Sequence, residues 1–335
     1  MLNKIKINFL HKTFRHNNMK SFSTEIQGRK INFCFDGEIL ELIVYSDDEY
    51  DELKSFCLEL DSMMYLYLGS FPEIKSIEYN DELKDITKLA NRFSTDLNFN
   101  RATMILCDIT SETVNEEIYI AFRNNVLQIP FYSMQYLVSS KYKEVMPAHR
   151  LTLMTHVVEG IIDIEQEKRS EIGKELKEKY NVEKGKKLGK YLIQASSVTD
   201  QFIQADNIYN ADILKLLKCN EYTFLQTIKD TRNWYSHMWK EDDEDKINKI
   251  EEGSMMVIYF EILYCAVRLY LIRNILELDI ESNYISEYLY VLHDWILDIK
   301  KLEKDFKSNT YIQNENLKEF RRKMKEIIER MMEIE

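Results

Sequence analysis

Residues 231–239 read Thr-Arg-Asn-Trp-Tyr-Ser-His-Met-Trp, and they determine how the second half of this chain is interpreted. They end a run that contains neither glycine nor proline and that has the apolar spacing of a helix. The run predicts a helix over 221–239. The last turns of that helix contain an arginine, an amide directly after it and then a histidine: Arg232, Asn233 and His237.

Helical geometry does not place these three side chains on one face. At about 100° per residue, Arg232 and His237 point roughly 140° away from each other. Asn233 and His237 share a face, so the amide can hydrogen-bond to the imidazole and hold one tautomer. Arg232 shares its face with Ser236. One straight helix therefore does not bring Arg232 and His237 to the same phosphate.

The pattern Arg-Asn-x-x-x-His resembles the signature of the HEPN (higher eukaryotes and prokaryotes nucleotide-binding) superfamily of helical ribonuclease domains. It is most similar to the Apea-like group, which has asparagine at the second position. The resemblance covers the second half of the chain. It implies a homodimer in which two copies of the motif line one composite active site. It also implies catalytic roles for Arg232, Asn233 and His237, with Ser236 and Tyr235 as supporting residues.

The chemistry that the resemblance implies needs no metal and no cofactor. RNA supplies its own nucleophile, the 2′-hydroxyl next to the scissile phosphate. A histidine moves protons near neutral pH, and a guanidinium binds the phosphate and stabilises its developing charge. The expected products are a 2′,3′-cyclic phosphate and a 5′-hydroxyl. The resemblance thus predicts an endoribonuclease that acts in anti-phage defence or in a toxin-type stress response.

Ordinary structural roles remain open for the same residues. An arginine and a histidine on a solvated helix face are common, and the aromatic residues of 231–239 pack the helix or stack on bases. Glu159 follows His156 by three positions on a predicted helix. Glu159 faces either the cleft, where it would orient a catalytic group, or solvent. Trp239 stands where HEPN toxins paired with a nucleotidyltransferase carry a modified tyrosine, which disfavours that subgroup.

The first part of the chain predicts an α+β domain over 1–145. Alternating apolar residues predict strands, and Asp36-Gly37 is a good hairpin connection. We expect this domain to be regulatory and to sense a ligand or a phage component. The predicted strands are 4–9, 22–26, 31–35, 39–44, 75–79 and 103–109, and the predicted helices are 49–69 and one from about 113.

The remainder, 146–335, predicts an all-α, HEPN-like helical bundle, so that the chain is predominantly helical overall. Only 8 glycines and 3 prolines in 335 residues favour long helices with few turns. The apolar series from Leu317 to Met331 has coiled-coil spacing and packs either on its own bundle or on a second subunit. The predicted helices are 151–162, 184–206, 221–239, 244–278, 283–306 and 313–334.

Composition predicts a cytoplasmic protein that does not span a membrane. The apolar window 255–276 is interrupted by charges, as in the central helix of a bundle. The five cysteines are widely spaced and predict reduced thiols instead of a disulfide or zinc framework.

A net charge of −12 argues against indiscriminate nucleic-acid binding. RNA contact would need a local patch, at 184–187 or at 321–325. The acidic charge supports a second hypothesis: a catalytically silent HEPN-like module that binds RNA or protein.

Overall fold

A computed structural model describes residues 2–11, 14, 19–87, 105–127, 147–161, 166–179, 190–237, 250, 253–308 and 322. The protein is mostly helical, with an N-terminal antiparallel sheet followed by helices, which confirms the coarse α+β layout. It forms two compact units. The first includes Met1–Gln128 and Leu271–Ile285, and the second includes Ile129–Tyr270 and Ser286–Met331. The sequence placed a single boundary at 145/146, whereas a segment from late in the chain belongs to the first unit.

The first unit contains a six-stranded antiparallel sheet in the order β2-β3-β4-β1-β5-β6. Helix α1 packs on β1 and β4, and α2 contacts α1 and β2. A π-helical turn, Arg123–Leu127, follows α2 and contacts another at Leu271–Ile275. The elements are β1 Asn3–Leu10, β2 Phe22–Ile26, β3 Arg29–Asp36, β4 Ile39–Ser46, α1 Tyr50–Leu68, β5 Glu73–Tyr79, β6 Glu82–Leu83 and α2 Glu116–Phe122.

Alternation along the strands explains the core of the sheet. Ile7 of β1 lies opposite Leu42 of β4, and Leu42 lies opposite Phe33 of β3; all three are fully buried. Successive strand residues point to opposite faces, so this register collects the apolar residues on one side. Helix α1 ends at Gly69, whose φ of 78° suits a left-handed cap and whose N–H bonds to the Tyr65 carbonyl.

Two details of the predicted sheet are wrong. The hairpin between β3 and β4 turns at Gly37-Glu38, because Asp36 still pairs with Ile39. Gly37 has the positive φ that the first position of such a turn favours. No strand forms over 105–109. Leu106 instead donates its N–H to the carbonyl of Tyr67 on α1. This bond holds residues 105–109 in place without strand pairing.

His11 is a buried polar residue of the first unit. It is fully buried, its Nε2 lies 2.9 Å from Ser70 Oγ, and burial lowers its pKa from 6.5 to about 3. The unfolded chain therefore takes up a proton near pH 6.5, whereas folded His11 does not. Stability is complete above about pH 6.5 and falls as the pH decreases towards 3.

Replacing His11 with glutamine should remove this pH dependence. Between pH 6.5 and 4.5, the parent should lose up to about 1.4 kcal/mol of unfolding free energy per pH unit relative to His11→Gln. Urea denaturation of both proteins at several pH values measures the difference. Parallel stability curves would show that His11 does not titrate on unfolding.

The second unit is built on a four-helix bundle of α3, α5, α7 and α8. In this bundle α3 and α5 contact each other and both other helices, and α4 packs on α5. The helices of this part of the chain are α3 Pro147–Ile161, α4 Gln166–Lys179, α5 Lys190–Ile208, α6 Ile213–Leu216, α7 Glu221–His237, α8 Gly253–Tyr270 and α9 Ser282–Ser308, of which α9 begins in the first unit.

Several helix boundaries differ from the prediction. Helix α4 was not predicted, since its charged sequence offers little apolar stripe. Helix α8 begins at Gly253 and not near 244, because buried Ile250 is non-helical and donates its N–H to Thr231 Oγ1. The predicted helix 313–334 and the basic patches 184–187 and 321–325 lie outside the described residues, apart from exposed Arg322.

The window Met255–Ile275 is the one segment in the described ranges that is long and apolar enough to cross a membrane. In the structure 89% of that window is buried, as expected of a central bundle helix. Two of its three charged residues, Glu261 and Arg268, are also buried, and the Tyr288 hydroxyl donates to Glu261. None of the five cysteines, all of which lie in the described ranges, forms a disulfide.

Candidate functional site

Helix α7, which carries the Arg-Asn-x-x-x-His motif, is fixed firmly at its start. Asn220 Oδ1 accepts the N–H of Thr223, and Thr223 Oγ1 accepts the N–H of Asn220. This reciprocal pair satisfies two backbone donors at the helix terminus. Glu221 is buried and accepts hydrogen bonds from Ser196 on α5 and Lys179 on α4. Contacts with α4 and α5 thus help to determine where α7 begins.

The motif lies at the other end of α7, beside the buried face of the helix. Phe224, Ile228 and Thr231 are buried, so Arg232 emerges at the edge of the bundle. Thr231 Oγ1 donates to the carbonyl of Thr227 and accepts the N–H of Ile250, which ties this turn to the chain beyond it. The packing of Thr231 therefore determines the position of Arg232.

Arg232 forms an ion pair with Glu159 of α3. The distance from Arg232 Nη2 to Glu159 Oε2 is 3.1 Å, and the side chains are 21% and 31% exposed. Such a partly exposed pair contributes little to stability, on the order of 1 kcal/mol or less. Its main effect is to orient the guanidinium. Glu159 is half-buried and contacts Arg232.

His156 approaches the same carboxylate oxygen. Its Nδ1 lies 3.4 Å from Glu159 Oε2, one turn earlier on α3, and its side chain is 41% exposed. Arg232 and His156 therefore meet at one oxygen atom, although they belong to different helices. Sequence reasoning gave His156 no role beyond its spacing from Glu159.

Tyr191 of α5 borders this cluster. It is 6% exposed, and burial, followed by the negative charge of Glu159, raises the pKa of its phenol well above the ordinary value. The positive charge of Arg232 opposes that shift. Tyr191 therefore stays protonated at neutral pH. Within the described residues, neither the Tyr191 hydroxyl nor Arg232 Nε has a hydrogen-bond partner.

The other predicted site residues are only partly described. Asn233 is half-buried, and its Oδ1 lies 3.5 Å from Arg232 Nη1, at the limit of a hydrogen bond. Tyr235 is 40% exposed. The side chains of Ser236 and His237 lie outside the described part of the structure, so the pairing of Asn233 with His237 stays a prediction.

The cluster can bind and orient an anion. Arg232 donates to Glu159 through Nη2, and Tyr191 lies near enough for the charge of Arg232 to affect its phenol. Guanidinium groups bind phosphate through paired N–H donors. The His156 side chain is exposed enough to meet a ligand at the same place.

Comparisons of the chain with protein-family models, with curated proteins and with solved structures find no match. Across the described ranges, no group of three or more His, Cys, Asp or Glu side chains is arranged to hold a metal ion. The site is therefore interpreted from its own residues, of which Arg232, Glu159, His156 and Tyr191 come together from three helices of the second unit.

Proposed function

We propose that this chain is a metal-independent endoribonuclease of the HEPN type. One observation carries the proposal: Arg232 of the Arg-Asn-x-x-x-His motif is held at the edge of a four-helix bundle by Glu159. A guanidinium oriented in this way is suited to bind a phosphate and to stabilise charge on it. The proposed biological setting is anti-phage defence or a toxin-type stress response.

In the proposed reaction, Arg232 binds the non-bridging oxygens of the scissile phosphate. The 2′-hydroxyl loses its proton and attacks phosphorus, and the bond from phosphorus to the 5′-oxygen breaks. His237 takes part in proton transfer, and Asn233 holds its imidazole in one tautomer. The products are a 2′,3′-cyclic phosphate and a 5′-hydroxyl.

The active form is proposed to be a homodimer. Because Arg232 and His237 diverge by about 140° on one helix, a second copy of the motif is needed to complete the site. Half-exposed Tyr235 offers apolar surface for this contact. Closed two-fold dimers place equivalent residues opposite each other, which suits a shared cleft.

A silent HEPN-like binding module is the second candidate function. Its support is also specific: Glu159 already neutralises Arg232, and the chain carries a net charge of −12. Both features weaken attraction to RNA phosphates. Such a module would bind RNA or a protein partner without cutting it.

An RNA cleavage assay in EDTA separates the two functions. The parent should cut total RNA supplemented with an extract of phage-infected cells, and His237→Ala should cut about 10²–10⁴-fold more slowly, which is the usual contribution of a proton-transfer residue. His293→Gln, on α9, is a control histidine variant outside the motif. Equal rates for the parent and His237→Ala, or no cutting by either, would favour the binding module.

The first unit is proposed to regulate the second by sensing a ligand or a phage component. Its sheet and helices contain none of the proposed catalytic residues. Leu271–Ile285 also belongs to this unit, so a fragment starting at Pro147 would keep that segment but lose the residues of the unit that precede it. The test therefore uses the full-length chain. Identical cleavage rates with and without the infected-cell extract would contradict a sensing role.

A further inference from the structure

We propose that His156 is a further proton-transferring residue of this site and works beside Arg232 of its own chain. The inference rests on the proposed function and deepens it. It is carried by one carboxylate oxygen, Glu159 Oε2, which lies 3.1 Å from Arg232 Nη2 and 3.4 Å from His156 Nδ1. The two nitrogens are therefore no farther apart than the sum of those distances.

Helix packing makes His156 a suitable partner for Arg232 within one chain. From the sequence spacing, residues five apart on an ideal helix lie about 140° apart, so His237 is not expected beside Arg232 of the same chain. His156 lies on α3, which packs against α7, and its side chain reaches the carboxylate that holds the arginine. A phosphate bound to Arg232 would consequently lie beside His156 of the same subunit.

The contact with Glu159 also suits His156 to act as a base. A carboxylate next to Nδ1 favours the tautomer with its proton on that nitrogen, so Nε2 becomes the basic nitrogen. The ring is 41% exposed, which allows substrate to approach it. Glu159 acts here as a positioning residue for both His156 and Arg232.

RNA cleavage of the proposed kind requires two proton transfers. The bond between the 2′-oxygen and phosphorus forms as the 2′ proton leaves, and the bond to the 5′-oxygen breaks as that oxygen gains a proton. His156 takes the first proton. His237 of the second subunit supplies the second one. The composite site thus contains a base from one subunit and an acid from the other.

Charged and titratable groups around His156 come from its own helix and from the helices packed against α3. Glu159 of the same helix contacts His156, Arg232 of α7 shares that carboxylate oxygen, and Tyr191 of α5 lies within electrostatic reach of Glu159 and Arg232. Helix α8, which also packs on α3, carries its charges buried in the bundle, and one of them, Glu261, is hydrogen-bonded by Tyr288. The buried charged residues of α8 are Glu261 and Arg268.

The test is the pH dependence of cleavage by full-length His156→Gln. Glutamine retains a hydrogen-bonding side chain but cannot titrate. We expect a rate about 10²–10⁴-fold below that of the parent at neutral pH, and loss of the increase in rate on the acid side of the pH profile. The decrease in rate at higher pH should persist because it reports the acid. His293→Gln is the matched control, since His293 Nδ1 also lies 3.4 Å from a carboxylate, Asp294, on an exposed helix face.

Binding of a non-cleavable RNA with 2′-deoxy linkages separates chemistry from folding. His156→Gln should bind it as tightly as the parent does and should unfold at the same temperature. An unchanged rate, or a slower rate with the low-pH increase intact, would overturn the role of His156 while the proposed function stands. If neither the parent nor His293→Gln cuts RNA, the proposed function fails together with this inference.

Discussion

Replacing Arg232 with alanine should lower the rate of RNA cleavage by at least about 10²–10³-fold, the usual effect of removing one group that stabilises transition-state charge. The guanidinium of Arg232 is already oriented by Glu159. The loss should appear mainly in kcat, because charge on the phosphate builds up during the reaction. Single-turnover kinetics on a defined RNA measures it.

Two control variants test whether the lower rate comes from the guanidinium of Arg232. Arg232→Lys keeps the charge but not the planar pair of donors, so its rate should lie between those of the parent and the alanine variant. Lys229→Ala removes a nearby cation of α7 and should leave the rate unchanged. Equal rates for Arg232→Ala and the parent, with both proteins folded, would exclude Arg232 from the reaction.

Mixing two inactive variants should restore activity. An Arg232→Ala dimer lacks the arginine entirely, and a His237→Ala dimer lacks the histidine. A mixed dimer keeps one copy of each. Random subunit exchange makes about half of the dimers mixed, so the recovered rate should reach at most about half of the parent's.

The two variants must be exchanged under conditions that dissociate and reform the dimer, and each variant incubated alone provides the baseline. Double-variant chains, Arg232→Ala with His237→Ala, mixed with either single variant should recover nothing. Sedimentation at the assay concentration reports the oligomeric state. A fully active monomer, or no recovery in demonstrably mixed dimers, would exclude the composite site.

The layout of the fold was predictable because it follows from local patterns. Alternation placed β1 to β4 within one or two residues, and Gly69 marked the end of α1. The misplaced elements depended on tertiary contacts. Ile105–Ile109 is held by a backbone bond from Leu106 to Tyr67, and the late start of α8 follows from the bond between Ile250 and Thr231.

The candidate site was predictable only along the helix that carries the motif. The sequence pointed to Arg232 through its spacing to Asn233 and His237. It did not decide whether Glu159 faces the cleft or solvent. It could not identify Tyr191, because the packing of α5 against α3 and α7 brings that residue to the site. The pairing of Arg232 with Glu159, 73 positions away, likewise depends on how helices meet.

The most direct test of the central claim is the chemistry of the RNA ends. Full-length protein should cut a defined RNA in EDTA and leave a 2′,3′-cyclic phosphate and a 5′-hydroxyl. One 2′-deoxynucleotide at the mapped site should abolish that cut, and the Arg232→Ala, His237→Ala double variant should produce none of these ends. Ends with a 5′-phosphate, a cut that survives the 2′-deoxy substitution, or equal cutting by the double variant would contradict the account.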